Sequence, residues 1–408
     1  MKFGVLSDVF IGAGAKFLTP NELKKQHEFQ GVRDFRALLG EPADKKKYDT
    51  RFYWFPDDED EEPLVVSSYC TWSDVRRGNP GRPAEYHLYY AAEANELVRR
   101  ACGGDLLVIA LTRLGDLIVV LCPGGSTVAQ QILWLFGLMP ETSHADVKTL
   151  GKDHGVTLGF SARTVLETLG VEKEQPEPDA FDELIDRFGL NFPGTSEFSR
   201  FARSTCRNVD PVAAPDEALM AWMDHEEALF RHLEKQIVAE RLQSGFLVSD
   251  EPDVDGFIAY SLSVQNRRKS RAGWAFGHHV AAVLDLHKVG YVREATTEKR
   301  NGPDFLFPDE AAYHDETFDG SLLSMLAVKT SCKDRWRQVL AEANRISEKH
   351  LLTLQPAISL SQTAEMQAER LQLVVPREIL GSYAVDQQAW LLDFEAFLQL
   401  VKGRQDRM

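Results

Sequence analysis

The 408-residue chain has no run of 18 or more apolar residues, so no segment is predicted to span a membrane. Its N-terminus, beginning Met1-Lys2-Phe3-Gly4, lacks the long apolar stretch of a secretory signal. Cysteines number five, and no two form a CxxC pair. An odd, scattered set supports neither a zinc site nor a disulfide framework, and the expected setting is a reducing cytoplasm. Positive charge is also in deficit. The formal net charge of −16 argues against indiscriminate nucleic-acid binding. Cys122-Pro123-Gly124-Gly125-Ser126-Thr127 lacks the lysine of a Walker loop, so it is read as a turn with a helix cap. No nucleotide cofactor is expected.

A net charge is an average, and local patches matter more. Residues 57–62 form an acidic run, whereas Asn266-Arg267-Arg268-Lys269-Ser270-Arg271 is basic with no acid inside it. The length favours two domains. Residues 1–150 alternate short apolar runs with turn residues, as at 64–66, 106–109 and 117–121, and these read as strands. A helix is predicted near 126–138. Residues 171–179 hold Glu172, Lys173, Glu174, Pro176 and Pro178, with almost nothing apolar. We therefore place a β-rich domain at 1–170, a linker at 171–180 and a second domain at 181–408.

In the second domain the periods lengthen. Leu219, Trp222, Met223, Leu229, Phe230, Leu233 and Ile237 recur at helical spacing over 216–242. Short apolar runs at 303–307, 325–328, 350–354 and 371–375 read as strands. Residues 334–349 read as a helix with Trp336, Val339, Leu340, Ala343 and Ile346 on its core face. This half is an α/β layer structure.

Phosphodiester hydrolysis needs a divalent metal held by oxygen ligands and a lysine near the scissile phosphate or attacking water. Pro303-Asp304 opens one predicted strand and Lys329 closes the next. The acid usual two residues before such a lysine is absent, because Ala327 stands there. Glu342 lies thirteen residues after Lys329 on the predicted helix. There Arg335, Gln338, Glu342 and Arg345 share a polar face. Those residues alone are better explained as a strand-start aspartate, a strand-end lysine and a solvated glutamate.

Longer motifs go further. The 266–273 segment, 303–308, Ala312-Tyr313-His314-Asp315 and the block 325–340 together resemble the catalytic domain of EcoRII-type restriction endonucleases. Phe192-Pro193-Gly194 and the run 350–376 extend the similarity to about residues 180–376. The resemblance implies an α/β endonuclease core of the PD-(D/E)xK class with a central mixed sheet. It implies a Mg²⁺-dependent homodimer cutting double-stranded DNA at a short CCWGG-like site, where W is A or T. Asp304 and Glu342 would bind metal, Lys329 would be catalytic, and Tyr313 joins the catalytic set unless it and His314 are packed or hydrogen-bonded loop residues. Lys333, Asp334 and Arg335 would read G·C pairs, since arginine suits guanine and aspartate can accept from cytosine N4. Arg267, Arg268, Lys269 and Arg271 would contact DNA, unless they are a solvated charge run. One departure stands out: Gly277 occupies the place of a further family glutamate, with His278 and His279 beside it as possible substitutes.

The family's N-terminal domain is a DNA-binding pseudobarrel that restrains the nuclease. The short-strand pattern of residues 1–170 fits it, and Arg76, Arg77 and Arg82 lie in a turn-rich loop able to touch phosphates. Other readings are a catalytically impaired, regulatory DNA-binding relative, motivated by Gly277, and a nuclease aimed at another sequence.

Overall fold

The computed structural model describes the chain except residues 1–3, 25–26, 58–60, 78–80, 143, 152–156, 172–179, 249–250 and 299–301. The expected linker therefore falls almost wholly outside the described residues, as does the centre of the acidic run. Two compact units emerge. One holds Phe3–Glu174 with Pro356–Gln362, and the other holds Gln175–Gln355 with Thr363–Met408. Among the described residues, no helix is long and apolar enough to cross a membrane.

The first unit is built on β1 (Phe10–Phe17), β2 (Glu28–Phe29), β3 (Lys46–Trp54), β4 (Leu64–Asp74), β5 (Tyr86–Tyr90), β6 (Leu106–Thr112), β7 (Leu117–Cys122) and β8 (Asp146–Thr149). Helices α1 (Arg36–Leu39), α2 (Asn95–Val98), α3 (Thr127–Phe136) and α4 (Phe160–Thr168) accompany them. The sheet order is β2-β5-β4-β3-β7-β6-β1-β8, an open half-barrel in which β3 and β7 run parallel. Side chains alternate across a strand, so β6 and β7 feed two cores. Val108, Ala110, Ile118 and Val120 pack with Ile132 and Leu135 of α3 and Val165 of α4. Leu107, Ile109, Leu117 and Val119 pack with Phe52, Trp72 and Leu88. Burial on both faces explains why these strands are continuous apolar runs. The expected cap is present: Ser126 Oγ accepts from Ala129 N at 3.2 Å, and Gly137 ends α3 at φ 63°.

The second unit begins with α5 (Phe181–Phe188), α6 (Thr195–Thr205) and α7 (Pro215–Ser244). The hairpin β9 (Leu247–Val248) and β10 (Glu251–Pro252) leads to α8 (Val254–Leu286). Then come β11 (Val292–Arg293), β12 (Phe305–Phe307), α9 (Glu310–His314), β13 (Ser324–Lys329), α10 (Trp336–Val339) and β14 (Lys349–Thr353). The chain closes with α11 (Leu360–Ala368), β15 (Leu371–Val374), α12 (Arg377–Leu380), α13 (Val385–Gln388) and α14 (Phe394–Gln405). The sheet runs β11-β12-β13-β14-β15. Its β11–β13 pairings are antiparallel and its β13–β15 pairings parallel, so it is mixed as expected. All four strands expected in this half form.

One element differs. The helix expected over 334–349 is only a 3₁₀ turn (Lys333–Arg335) followed by α10. Ala343 sits at φ 46°, a left-handed conformation that stops a right-handed helix. Of the expected core residues, Trp336, Val339, Ala343 and Ile346 are nevertheless buried, whereas Leu340 is only half-buried.

Asp216, in the first turn of α7, ties distant segments together. Its buried carboxylate accepts from the backbone amides of Arg377, Phe394 and Glu395, each at 2.9 Å. It thereby fixes the starts of α12 and α14. From α14, Arg404 donates to Leu323 O at 3.0 Å and Ser324 Oγ at 2.8 Å, holding the start of β13. Asp216→Ala strands three amides and should cost about 3 kcal/mol or more. Asp216→Asn keeps one acceptor oxygen and should cost less. Denaturant unfolding of the two variants checks the order.

Candidate active site

Asp304 immediately precedes β12, and Lys329 ends β13. The antiparallel register pairs Phe305 with Leu326, which brings the start of one strand beside the end of the other. Asp304 Oδ2 accepts from Val328 N at 2.7 Å and from Lys329 Nζ at 2.9 Å. The ion pair stays partly open, with the lysine side chain 24% and the aspartate 38% exposed. That leaves room for a ligand over both groups.

Glu342 approaches from the turn after α10 rather than from a helix face. Burial pushes its carboxyl up to about 7, Lys329 and Lys349 oppose the shift, and Asp304 adds to it. Its Oε2 is buried without a hydrogen-bond partner. A buried carboxylate oxygen left unsatisfied beside a second carboxylate is a costly arrangement that a cation would relieve. The pair Asp304 and Glu342 therefore fits an oxygen-ligated divalent metal. Among the described residues, no group of three or more His, Cys, Asp or Glu side chains is gathered for metal binding.

The helical polar face expected for Arg335, Gln338, Glu342 and Arg345 does not form, because the helix ends first. Arg345 instead turns inward. Its guanidinium donates to the carbonyls of Tyr313, of Asp315 at 3.0 Å and of Phe318 at 3.1 Å. Arg335 is exposed on the 3₁₀ turn beyond β13, beside Lys333 at φ 38° and Asp334. Tyr313, expected among the catalytic groups, is 1% exposed. Its hydroxyl donates to Glu298, with both carboxylate oxygens at 2.7 Å. Burial and that glutamate push it up to about 12, so it stays a phenol.

The basic cluster divides by helical phase. At 100° per residue, consecutive side chains of α8 cannot share a face. Lys269 is exposed, and Arg267 lies 4.1 Å from the Phe192 ring centre. Arg268 pairs with buried Glu234 at 2.5 Å. Arg271 is a correction to the expected DNA-contact set. It is 5% exposed, stacks 4.0 Å from the Phe198 ring centre, and lies 3.7 Å from Glu226. Helical spacing sets Lys269 apart from Arg268 and Arg271, while Arg267 shares the face of Arg271.

Gly277 has a specific neighbour. A Cβ there would stand 3.2 Å from Arg293 Nη2. A cation from β11 thus borders the place where an acid was expected. His278 and His279 do not substitute for that acid. His278 Nδ1 is 3.2 Å from Arg293 Nη1, its Nε2 is 3.3 Å from Thr195 Oγ1, and burial lowers it to about 4. His279 is fully buried between Arg203, at 3.1 Å, and Glu226, at 3.0 Å. Both histidines fasten the helical layer.

In the first unit, Arg76 pairs with Glu85, Arg77 pairs with Asp44 at 2.5 Å, and Arg82 is exposed. Residues 78–80 of that loop lie outside the described set. Sequence reasoning missed Glu298 and Lys349. Lys349 is buried, donates to Ile346 O at 3.1 Å, and feels Glu298 and Glu342. Neither residue belongs to a local motif, and only the tertiary fold brings them to the site.

A mixed sheet thus sets an aspartate and a lysine on adjoining strand ends, with a glutamate beside them. Residues 230–398 match the family described as EcoRII C terminal. The chain is 40% identical over 221 residues to the type II restriction enzyme EcoRII of Escherichia coli. The match covers 54% of this chain and 53% of the relative, so the chain spans about half the length of the curated relative it matches. Similar solved structures include metal-depleted Ecl18kI in complex with uncleaved, modified DNA. It shows 19% identity, covers 57% of this chain and 86% of that one, and has a TM-score of 0.45. Another is the restriction endonuclease PspGI–substrate DNA complex, with 15% identity, 53% and 95% coverage and a TM-score of 0.42.

The burial pattern separates two residues of one cluster. Arg271→Ala leaves Glu226 buried without its arginine and should destabilise the protein by about 3 kcal/mol or more. Lys269→Ala should change stability by no more than about 0.5 kcal/mol. Equal effects in denaturant unfolding would remove the bracing role of Arg271.

Proposed function

We propose that this chain is a type II restriction endonuclease that hydrolyses double-stranded DNA at a short CCWGG-like site with Mg²⁺. The observation that carries the reading is the convergence of Asp304, Lys329 and the unpartnered Glu342 oxygen. The match over residues 230–398 supports it. Asp304 and Glu342 are the oxygen ligands we assign. A bound Mg²⁺ supplies charge neutralisation at the phosphate and a more acidic water. Lys329, steered by Asp304, presents an ammonium to the scissile phosphate or the attacking water. Asp304 does this while its Oδ2 is already engaged by two donors, which fixes its orientation toward a ligand.

Lys333, Asp334 and Arg335 follow directly on the catalytic strand, so base reading and chemistry are joined by a few residues. Arg335 is the bidentate guanine reader in this proposal, and Asp334 supplies an acceptor for cytosine. Arg267, Arg268 and Lys269 contribute phosphate contacts that position without reading. Arg76, Arg77 and Arg82 form a second contact surface on the first unit. A near-palindromic site calls for a two-fold protein, so the active form is a homodimer.

Plasmid cleavage with and without Mg²⁺, followed by sequencing of the ends, tests the activity and the site together. Asp304→Ala, Lys329→Ala and Glu342→Ala should each remove most cleavage in a folded protein. Near-parental cutting by Lys329→Ala would sink the assignment. Arg335→Ala should lose about 1–3 kcal/mol of specific binding while random DNA is little affected. Equal losses on both would withdraw its reading role. A second reading, a sequence-specific binder that does not cut, draws on Gly277 and its neighbour Arg293. Tight site-specific binding without cleavage across divalent metals would favour it.

A further inference from the structure

The turn that carries Glu342 is held in an unusual way. Three consecutive amides follow the glutamate, and each donates to a side chain from outside the turn. Ala343 N donates to Thr297 Oγ1 at 3.4 Å, Asn344 N to Glu298 Oε2 at 3.2 Å, and Arg345 N to Tyr313 Oη at 3.3 Å. These are the groups that would have continued the helix. Their capture accompanies Ala343 at φ 46°, a backbone state that is unfavourable for a residue with a Cβ and needs outside support.

Glu298 is the hub of this clamp. Its carboxylate accepts from Tyr313 Oη and Asn344 N, while Tyr313 in turn accepts from Arg345 N. The phenol has its single proton directed to Glu298, so its lone pairs face the Arg345 amide. Without the glutamate, the phenol is free to rotate its proton toward that amide and repel it. The Arg345 guanidinium adds four carbonyl contacts to the 312–318 segment, so the turn is gripped on both sides. Burial alone would raise Glu298, but the Tyr313 hydroxyl and nearby backbone amides outweigh it and keep the group below its ordinary value.

We propose that Glu298 is a positioning residue, which through Tyr313 and the Asn344 amide fixes the left-handed turn that aims Glu342 at Asp304 and Lys329. The inference rests on the assignment of Asp304 and Glu342 as metal ligands. Groups that hold a ligand from behind commonly contribute about 10–100-fold to metal affinity.

Titration of the metal-free full-length protein with Mn²⁺ alone, by calorimetry, tests this without relying on turnover. Glu298→Gln should weaken Mn²⁺ binding about 10-fold or more, with thermal unfolding of the metal-free protein unchanged. Tyr313→Phe should weaken it in the same direction. The double variant should be no worse than Glu298→Gln, because both residues act through one hydrogen bond. Asp304→Asn is the reference for loss of a ligand. Parental Mn²⁺ affinity in Glu298→Gln and Tyr313→Phe, with Asp304→Asn defective, overturns the positioning role and leaves the metal assignment standing. Parental affinity in Asp304→Asn overturns the metal assignment itself. Should Glu298→Gln fail to fold, a folded Tyr313→Phe of parental affinity is enough to overturn the proposal.

Discussion

The candidate site depends on one carboxylate oxygen. Asp304 Oδ2 takes a backbone amide from Val328 and the ammonium of Lys329, so a single atom fastens the beginning of β12 to the end of β13. The two partners do different work. The amide bond fixes the carboxylate relative to the sheet, whatever solvent does. The lysine bond then orients a long, flexible chain that would otherwise sample many rotamers. A surface ion pair of this exposure contributes little to stability. Its value lies in geometry: the functional side chains are held by a sheet that is buried from Phe305 through Phe307 and along most of β13.

Much of this sheet is legible in the sequence. Short apolar runs mark its strands, and Asp304 and Lys329 sit at their ends. The helical stripe of α7 likewise follows from spacing alone, because Leu219, Trp222, Leu229 and Leu233 form a core face that local sequence dictates. What escapes is the course of the chain after α10. The 334–349 segment has the apolar spacing of a helix, and all of its expected core residues but Leu340 are buried. Yet Thr297, Glu298 and Tyr313 offer the 343–345 amides competing acceptors, and these lie 32 to 46 residues away in sequence. No local signal encodes that competition. Tertiary acceptors override a moderate helical tendency.

The basic cluster shows a different limit. Charge in sequence is one-dimensional, whereas α8 distributes it around a cylinder. Glu226 and Glu234 of α7 lie eight residues apart, about 80° from each other around the helix, and both meet arginines of α8. These are Arg271 and Arg268, from one side of α8. Buried glutamates demand such partners, since an isolated carboxylate in that layer would carry a large desolvation cost. The arginines that look most like a nucleic-acid patch are thus partly committed to a helix seam. Of the four basic residues only Lys269 is exposed, and Arg267, one turn before Arg271, lies against the Phe192 ring.

The same logic separates the two carboxylates of the site. Asp304 has two donors on one oxygen, so its charge is satisfied before any ligand arrives. Glu342 has a buried oxygen with none. An aspartate already anchored and a glutamate still in deficit make an asymmetric pair: one sets the position of a cation, the other gains most from its arrival. That asymmetry requires the Glu342 turn to hold its course without a cation present. A helix would have supplied this rigidity through its own ladder. Here the ladder stops at α10, and side chains from the 297–298 segment and α9 take over the amides it leaves. The rigidity of the site is therefore borrowed from segments distant in sequence, and the left-handed Ala343 marks the point where local structure gives way to tertiary support.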